Sequence, residues 1–246
     1  MVRTPRSNGP AHHNPVIVAL DLASAEAAVD MAEQVAPHVG GFKVGLGLLH
    51  GPGPLVVSAL VGLGKPVFAD AKLHDIPSQV EVAARRLGAH GARWVTAHVS
   101  GGRVMLEAAV RGLVEGAGAA DAGILGVTVL TSLDADDLAA IGVARTPGKL
   151  VSRMARVAAD AGCEGVVSSP KELGVIAEVA PHLLKVTPGI RLDDADDDQA
   201  RTASPEEAIS RGADWLVIGR PITRAADPVG AAAAIAALVV GNADTD

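Results

Sequence analysis

Short apolar runs alternate with longer segments of mixed polarity along nearly the whole chain. The runs lack strict apolar–polar alternation, which is typical of strands that are covered on both faces of a parallel sheet. Eight of them predict strands: "VIVAL" (16–20), "GFKVGL" (41–46), "PVFADAKL" (66–73), "WVTAHVS" (94–100), "ILGVTVL" (124–130), "GVVSS" (165–169), "LLKVTPG" (183–189) and "WLVIGR" (215–220).

The segments between these runs are rich in Ala, Glu and Val and are compatible with helices. Ser24 and the pair Ser204-Pro205 have the residue types that begin helices. Eight strand-then-helix units in roughly 230 residues predict a single-domain α/β fold, a (β/α)8 TIM barrel, over residues 15–241. A doubly wound open sheet is the alternative, but the even spacing of eight units favours closure. Residues 1–14 and 242–246 are expected to be disordered tails.

Composition narrows the classes of function. Hydrophobic residues make up 49% of the 246 positions, enough for a sizeable core, whereas aromatic residues make up 2%. So few aromatics exclude a stacking platform for nucleic acids. The formal net charge of −7 and the absence of a Lys/Arg-rich run disfavour binding to nucleic acid or to an anionic membrane.

One cysteine, Cys163, cannot form an intramolecular disulfide, and we expect it to be a buried core thiol. A single cysteine fits a reducing compartment, so we expect a cytoplasmic protein. The alanine-rich run 231–240 is too short to span a bilayer.

Polar residues follow most of the predicted strands, and these positions meet at the carboxyl-terminal rim of a barrel, where such folds carry their active sites. We therefore expect one site rather than scattered polar positions. The residues are Asp21, Lys43, Asp70, Lys72, His98, Ser100, Thr131, Ser132, Ser168, Pro188, Arg191, Gly219 and Arg220.

The stretch "VFADAKLHDIP" (67–77) contains the densest charge in this set. Asp70 and Lys72 are two positions apart, so a strand directs both side chains to one face. Lys43 and Asp21 extend them to an alternating array of two acids and two bases. Flanking carboxylates favour a protonated Lys72, a proton donor rather than a Schiff-base nucleophile. The alternative is a purely stabilising ion network, for which buried ion pairs are poorly suited.

Asp75 lies beyond the strand, at an odd offset from Lys72, so strand geometry does not return it to the same site. One route is projection across a subunit interface.

The loops after strands seven and eight, "VTPGIR" and "VIGRPIT", combine glycines with Arg191 and Arg220. These loops form phosphate sites in many barrels, so we expect Gly219 and Arg220 to bind an anion. Between them, "RLDDADDDQART" suits a mobile lid, in which Gln199 is best able to hydrogen-bond a ligand.

Together, these motifs resemble those of the orotidine 5′-phosphate decarboxylase family, in the family's order and from about Val16 to Pro228. They are "ALD" (19–21), "FKVGL" (42–46), "DAKLHDIP" (70–77), "VTVLTS" (127–132), "VTPGIR" (186–191), "DQ" (198–199) and "VIGRPITRAADP" (217–228). The resemblance implies decarboxylation of orotidine 5′-phosphate to UMP without a metal or other cofactor. It also implies a homodimer of barrels with active sites at the interface.

The resemblance also implies a role for each matching residue. Lys72 would donate the proton to C6 beside Asp70, Lys43 and Asp21 would hold the ribose and the charged array, and Asp75 would come from the partner subunit. Thr131 would bind the pyrimidine, Gln199, Gly219 and Arg220 the phosphate, and Ile76, Pro188 and Arg191 would complete the substrate site. The family usually has Thr at the position of Gln79, whose amide can still hydrogen-bond the ribose.

Two other functions compete with this one. Related Mg²⁺-dependent enzymes, 3-keto-L-gulonate 6-phosphate decarboxylase and hexulose-6-phosphate synthase, share the Asp-x-Lys-x-x-Asp array but carry Glu where this chain has Lys43. A catalytically inactive phosphate-binding barrel is the other alternative, against which the intact charged array argues.

Overall fold

Eight parallel strands pair in sequence order and close into a barrel, as predicted. The computed structural model describes residues 14–191 and 203–240. The predicted runs extend up to three residues past the strands, which are β1 (Val16–Ala19), β2 (Gly41–Val44), β3 (Val67–Leu73), β4 (Trp94–His98), β5 (Gly123–Val127), β6 (Gly165–Val167), β7 (Leu184–Thr187) and β8 (Trp215–Ile218).

Helices surround the barrel and follow its strands. In the described part of the chain, they are α1 (Ala25–Val35), α2 (Leu46–His50), α3 (Leu55–Val61), α4 (Pro77–Ala89), α5 (Arg103–Ala117), α6 (Ala135–Ala140), α7 (Pro147–Asp160), α8 (Leu173–Val179), α9 (Pro205–Ser210), α10 (Arg220–Thr223) and α11 (Pro228–Val240). Short 3-10 helices span Ala36–His38, Val99–Gly101 and Pro170–Glu172.

Local chemistry explains where individual helices begin. The Ser24 hydroxyl accepts a hydrogen bond from the Ala27 amide, and the Ser204 hydroxyl accepts one from the Glu207 amide. Each satisfies a helix-terminal N–H that has no partner inside the helix. Both predicted caps are therefore confirmed, and Pro205 begins α9 at a position where its missing N–H costs no hydrogen bond.

The side chains of each strand divide between two apolar layers. On β1, Val16 and Val18 pack outward against the helices, whereas Ile17 and Ala19 point into the barrel. On β3, Ala69 packs outward and Phe68 points inward, which places Asp70 on the inward side at the carboxyl end. The barrel core is therefore apolar near the amino ends of the strands and turns polar towards the carboxyl ends.

Two tryptophans close the amino-terminal end of the barrel interior. Trp94 begins β4 and Trp215 begins β8, and their rings meet edge to face with centroids 5.0 Å apart. These are the two Trp residues of the sequence, so both of its largest side chains pack at the amino-terminal end of the barrel interior. The functional rim is thus lined by smaller apolar and charged side chains.

Cys163 is buried beside the start of β6, and burial raises its pKa to about 12. A thiol that resists deprotonation is a poor nucleophile, so the predicted core role is confirmed.

Asn14, at the edge of the predicted tail, donates a hydrogen bond to the His38 carbonyl. Residues 1–13 and 241–246 lie outside the described residues. None of the described helices is both long and apolar enough to cross a membrane.

Candidate active site

The carboxyl-terminal rim of the barrel opens into a cavity of about 480 Å³. Ten of the predicted site residues line it, so the structure brings together residues from seven of the eight strands or the loops after them. They are Asp21, Lys43, Asp70, Lys72, Thr131, Ser168, Pro188, Arg191, Gly219 and Arg220.

Charges alternate along one wall of this cavity. The Lys43 amine lies 3.1 Å from Asp21 Oδ1 and 3.6 Å from Asp70 Oδ2. The Lys72 amine lies 2.6 Å from the same Asp70 oxygen. Asp70 thus stands between two cations, and the predicted acid–base–acid–base array forms within one chain.

Burial favours the neutral form of the Asp70 carboxyl, because it raises the pKa of an acid. The charges of Lys43 and Lys72, together with hydrogen bonds from Lys72 and Thr96, outweigh burial, so the pKa of Asp70 lies below its ordinary value. Asp70 is therefore a buried carboxylate that remains charged near neutral pH.

The two side chains of the Asp70–Lys72 pair meet through an irregular strand rather than through simple alternation. Lys72 has a φ of +46°, and it is the single non-glycine residue with positive φ in the described ranges. The pairing of β3 with β4 shifts register between Ala69 and Leu73. Left-handed backbone costs a residue with a Cβ about 1–2 kcal/mol, so the surrounding contacts must hold Lys72 in place.

Sequence reasoning missed Thr96, which supplies one of these contacts. Its hydroxyl accepts a hydrogen bond from the Lys72 amide at 2.8 Å and donates one to Asp70 Oδ1 at 2.9 Å. Thr96 stands two residues before His98 on β4, so alternation along that strand could have placed it on the inner face.

Glycine is required directly after β2. A Cβ at Gly45 would collide with Asp21 Oδ1 and would come within 3.1 Å of the Lys43 amine. The absence of a side chain here lets Asp21 approach Lys43, so the "KVG" sequence and the ion pair depend on each other.

Cationic side chains gather where the loops after β7 and β8 meet the cavity. Arg191 and Arg220 were predicted here, and Arg224, one turn after Arg220, joins them. The i, i+4 spacing of "RPITR" could have revealed this third cation. Arg191 donates to the Ile190 carbonyl, which fixes its position beside the cavity. Gln199 lies outside the described residues.

The remaining wall is apolar with a few hydroxyls. Val127, Val129 and Val167 line it together with Ser168, whose buried hydroxyl has no hydrogen-bond partner among the described residues. The predicted strand five placed its end at Leu130, directly before Thr131 and Ser132, but β5 ends at Val127 and Thr131 lies further along the loop. Thr131 nevertheless reaches the cavity.

Six of the predicted residues that the structure describes do not line the cavity of this chain: His98, Ser100, Ser132, Asp75, Ile76 and Gln79. Asp75, Ile76 and Gln79 follow β3 and are exposed, and Asp75 Oδ1 accepts a hydrogen bond from the neighbouring Ile76 amide at 2.6 Å. Ile76 is 62% exposed. The predicted odd offset of Asp75 thus corresponds to a position outside the single-chain site.

An array of charges centred on the buried Lys43 and Asp70 lies at the carboxyl ends of barrel strands. It faces a cavity with an arginine-rich wall, which defines a (β/α)8-barrel enzyme site for a small anionic molecule. The sequence matches the model of the Orotidine 5′-phosphate decarboxylase / HUMPS family over residues 14–235. The chain belongs to this family.

Relatives that match over most of their length support this assignment. The chain is 50% identical to the orotidine 5′-phosphate decarboxylase of Anaeromyxobacter sp. (strain K), with 90% of this chain and 96% of that protein covered. It is 46% identical to the one from Thermobifida fusca, with 91% and 94% covered. The crystal structure of the enzyme from Lactobacillus acidophilus superposes with a TM-score of 0.82 at 35% identity, covering 92% and 99% of the chains.

Proposed function

We propose that this chain catalyses the decarboxylation of orotidine 5′-phosphate to UMP and CO2 in pyrimidine biosynthesis. The observation that carries the proposal is the array of Asp21, Lys43, Asp70 and Lys72 in a cavity whose other wall presents arginines. Full-length relatives named for this activity, at up to 50% identity among those given above, support it.

The reaction breaks the bond between C6 of the pyrimidine and its carboxylate. The electron pair that remains on C6 has no π-system ready to delocalise it, so the enzyme must stabilise it electrostatically. In our proposal the Lys72 ammonium stands where this charge develops and then donates a proton to C6. Asp70, 2.6 Å from the Lys72 amine, holds that ammonium in place.

Asp70 also has a proposed role before the bond breaks. The substrate carboxylate would lie beside this charged and buried side chain, and repulsion between the two would be relieved as CO2 leaves. Lys43 compensates part of the charge of Asp70 and, with Asp21, would bind ribose hydroxyls. In our proposal, binding of the remote phosphate by Arg220 and Gly219, with further contacts from Arg191 and Gln199, supplies the energy for this close approach.

The base would occupy the apolar part of the cavity. Val127 and Val167 line this region, and Thr131 and Pro188 would contact the edge of the pyrimidine. A mostly apolar pocket with few hydroxyls suits a flat ring with polar edges.

We also propose that the active unit is a homodimer in which Asp75 enters the partner's site, together with Ile76 and Gln79. The exposure of all three residues supports this arrangement. Val82 on α4 and Val104 on α5, the helices that follow β3 and β4, are further exposed apolar residues.

Mixing two inactive variants tests the shared site. Lys72→Ala and Asp75→Asn chains, unfolded and refolded together in equal amounts, would form heterodimers with one fully native site. We expect about a quarter of wild-type activity from the mixture, because half of the dimers carry one native site of two. Activity no greater than the sum of the two separate variants would contradict sharing.

The decisive test of the reaction is the loss of orotidine 5′-phosphate absorbance with purified chain, with UMP identified by chromatography. We propose that neither a metal nor another cofactor takes part, so activity should survive EDTA and dialysis. The amine of Lys43, 3.6 Å from Asp70, supports this by placing a cation beside the carboxylate. EDTA-sensitive turnover would favour the Mg²⁺-dependent relatives, and no turnover would favour a non-catalytic barrel.

We propose a cytoplasmic location because the chain has one cysteine, which is buried.

A further inference from the structure

Thr96 lies at the centre of the charged array without touching the cavity that it serves. It is completely buried on β4, and the residues that line the cavity do not include it. We propose that Thr96 is a positioning residue for decarboxylation, which fixes the geometry of Lys72 and Asp70 relative to each other. This inference rests on the proposed function.

The hydroxyl of Thr96 connects the backbone of Lys72 to the carboxylate of Asp70. The Lys72 amide can only donate a hydrogen bond, so the Thr96 oxygen accepts at 2.8 Å. The hydroxyl proton is then available for Asp70 Oδ1, 2.9 Å away, while Asp70 Oδ2 accepts from the Lys72 amine. One hydroxyl therefore fixes both ends of the Asp70–Lys72 pair.

The backbone of Lys72 makes this connection necessary. Lys72 is in the left-handed region, φ +46°, and the regular pairing of β3 with β4 is interrupted between Ala69 and Leu73. The Thr96 side chain takes the place of a regular ladder partner for the Lys72 amide at this interruption. Without the hydroxyl, a buried amide and a carboxylate oxygen both lose a partner, and Lys72 can relax towards an ordinary strand conformation.

The charges around Asp70 determine how loss of the Thr96 hydroxyl would change the pH dependence of kcat/KM. Lys43 from β2 and Lys72 from its own strand face the Asp70 carboxyl, Asp21 lies behind Lys43, and His98 from β4 interacts with it more weakly. Thr96 adds a hydrogen bond that favours the ionised form. Removing that bond raises the pKa of Asp70, so the acid limb of kcat/KM moves to higher pH.

The test compares Thr96→Val, which keeps the shape but lacks the hydroxyl, with Thr96→Ser, which keeps the hydroxyl. We expect Thr96→Val to lower kcat about 10- to 100-fold and to shift the acid limb upward. Thr96→Ser should remain within about 3-fold of wild type. Binding of UMP, measured by calorimetry, should be retained in both variants, since Thr96 does not line the cavity.

Three results would overturn the inference: an unchanged kcat and acid limb in Thr96→Val, a loss in Thr96→Ser equal to that in Thr96→Val, or a parallel loss of UMP binding and kcat. If Thr96→Val melts below the assay temperature, Thr96→Ala takes its place in the same comparison with Thr96→Ser. Failure of the proposed function is recognised separately, because the wild-type chain would then not convert orotidine 5′-phosphate.

Discussion

The barrel carries charged networks at both ends, built from similar residue types and arranged in different ways. At the carboxyl-terminal end, Lys43 and Lys72 share the buried Asp70, and both amines line the cavity. Within the described residues, the Lys72 amine has Asp70 as its sole ion-pair partner. This end therefore keeps a cation directed towards a space where a ligand can bind.

At the amino-terminal end, the charged groups satisfy one another. Arg93 precedes β4 and donates to Glu164, which precedes β6, at 2.7 Å, while its other arm lies 3.1 Å from Asp121. The guanidinium also lies over the Trp94 ring, 4.7 Å from its centroid. A planar fork with two carboxylates and an aromatic face has little capacity left for a ligand.

Charge alone therefore does not identify a site in this fold. Both networks join neighbouring strands, but only one includes a strained residue, Lys72, and a carboxylate held between two amines at a cavity wall. We infer that the amino-terminal network of Arg93 serves stability and that the carboxyl-terminal network gives up stability for catalysis.

Removing the Lys72 amine should have the largest effect. We expect Lys72→Ala to lower kcat by about 10⁴-fold or more, because both the proton donor and the cation facing C6 are lost. The melting temperature and UMP binding should change little. Full activity in this variant would contradict the proposed role of Lys72.

Removing the phosphate from the substrate tests the remote end of the cavity. With orotidine in place of orotidine 5′-phosphate, we expect kcat to fall about 10²-fold or more and KM to rise, because phosphate binding by Arg220 offsets unfavourable contacts at Asp70. Single-turnover rates at saturating concentrations of each substrate measure this. An unchanged kcat would show that the phosphate contributes to binding alone.

Removing the guanidinium of Arg93 should lower the stability of the fold and leave catalysis nearly unchanged. We expect Arg93→Leu to lower the free energy of unfolding by about 1–3 kcal/mol, because Glu164 and Asp121 lose their partner. The kcat should stay within about 2-fold of wild type, since this network is at the other end of the barrel. Urea unfolding measures the free energy of unfolding, and the decarboxylation assay measures kcat. A large loss of kcat in a folded variant would contradict the proposal that the amino-terminal network serves stability and the carboxyl-terminal network serves catalysis.

The smallest expected effect concerns His98 and pH. Burial lowers the pKa of His98 below its ordinary value of 6.5, His74 and Lys72 lower it further, and Asp70 opposes them. The unfolded chain therefore binds the proton more readily, so His98 makes the fold less stable as pH falls below about 6.5. His98→Gln should weaken the decline of melting temperature between pH 7 and pH 5. His182→Gln, at an exposed position, controls for loss of a histidine, and equal changes in both variants would contradict the assignment.

Much of the fold could be predicted because its signals are local. Each apolar run, each Ser cap and the i, i+2 spacing of Asp70 and Lys72 is contained within a few residues. The register of a closed barrel is not local, since it depends on all eight strands pairing at once. For this reason the predicted strand ends were too long, and the position of Thr131 relative to β5 was wrong.

Short stretches of the chain suffice to predict the eight units, the charged residues at the strand ends and the resemblance to one family. The folded chain shows what these stretches do not: Lys72 is left-handed, Thr96 joins it to Asp70 across 26 positions of chain, and Lys43 lies 3.6 Å from the same carboxylate. The same structure placed Asp75 outside the cavity of its own chain. The physical reason is that contacts between distant segments follow from barrel closure and strand register, which no short window of sequence contains.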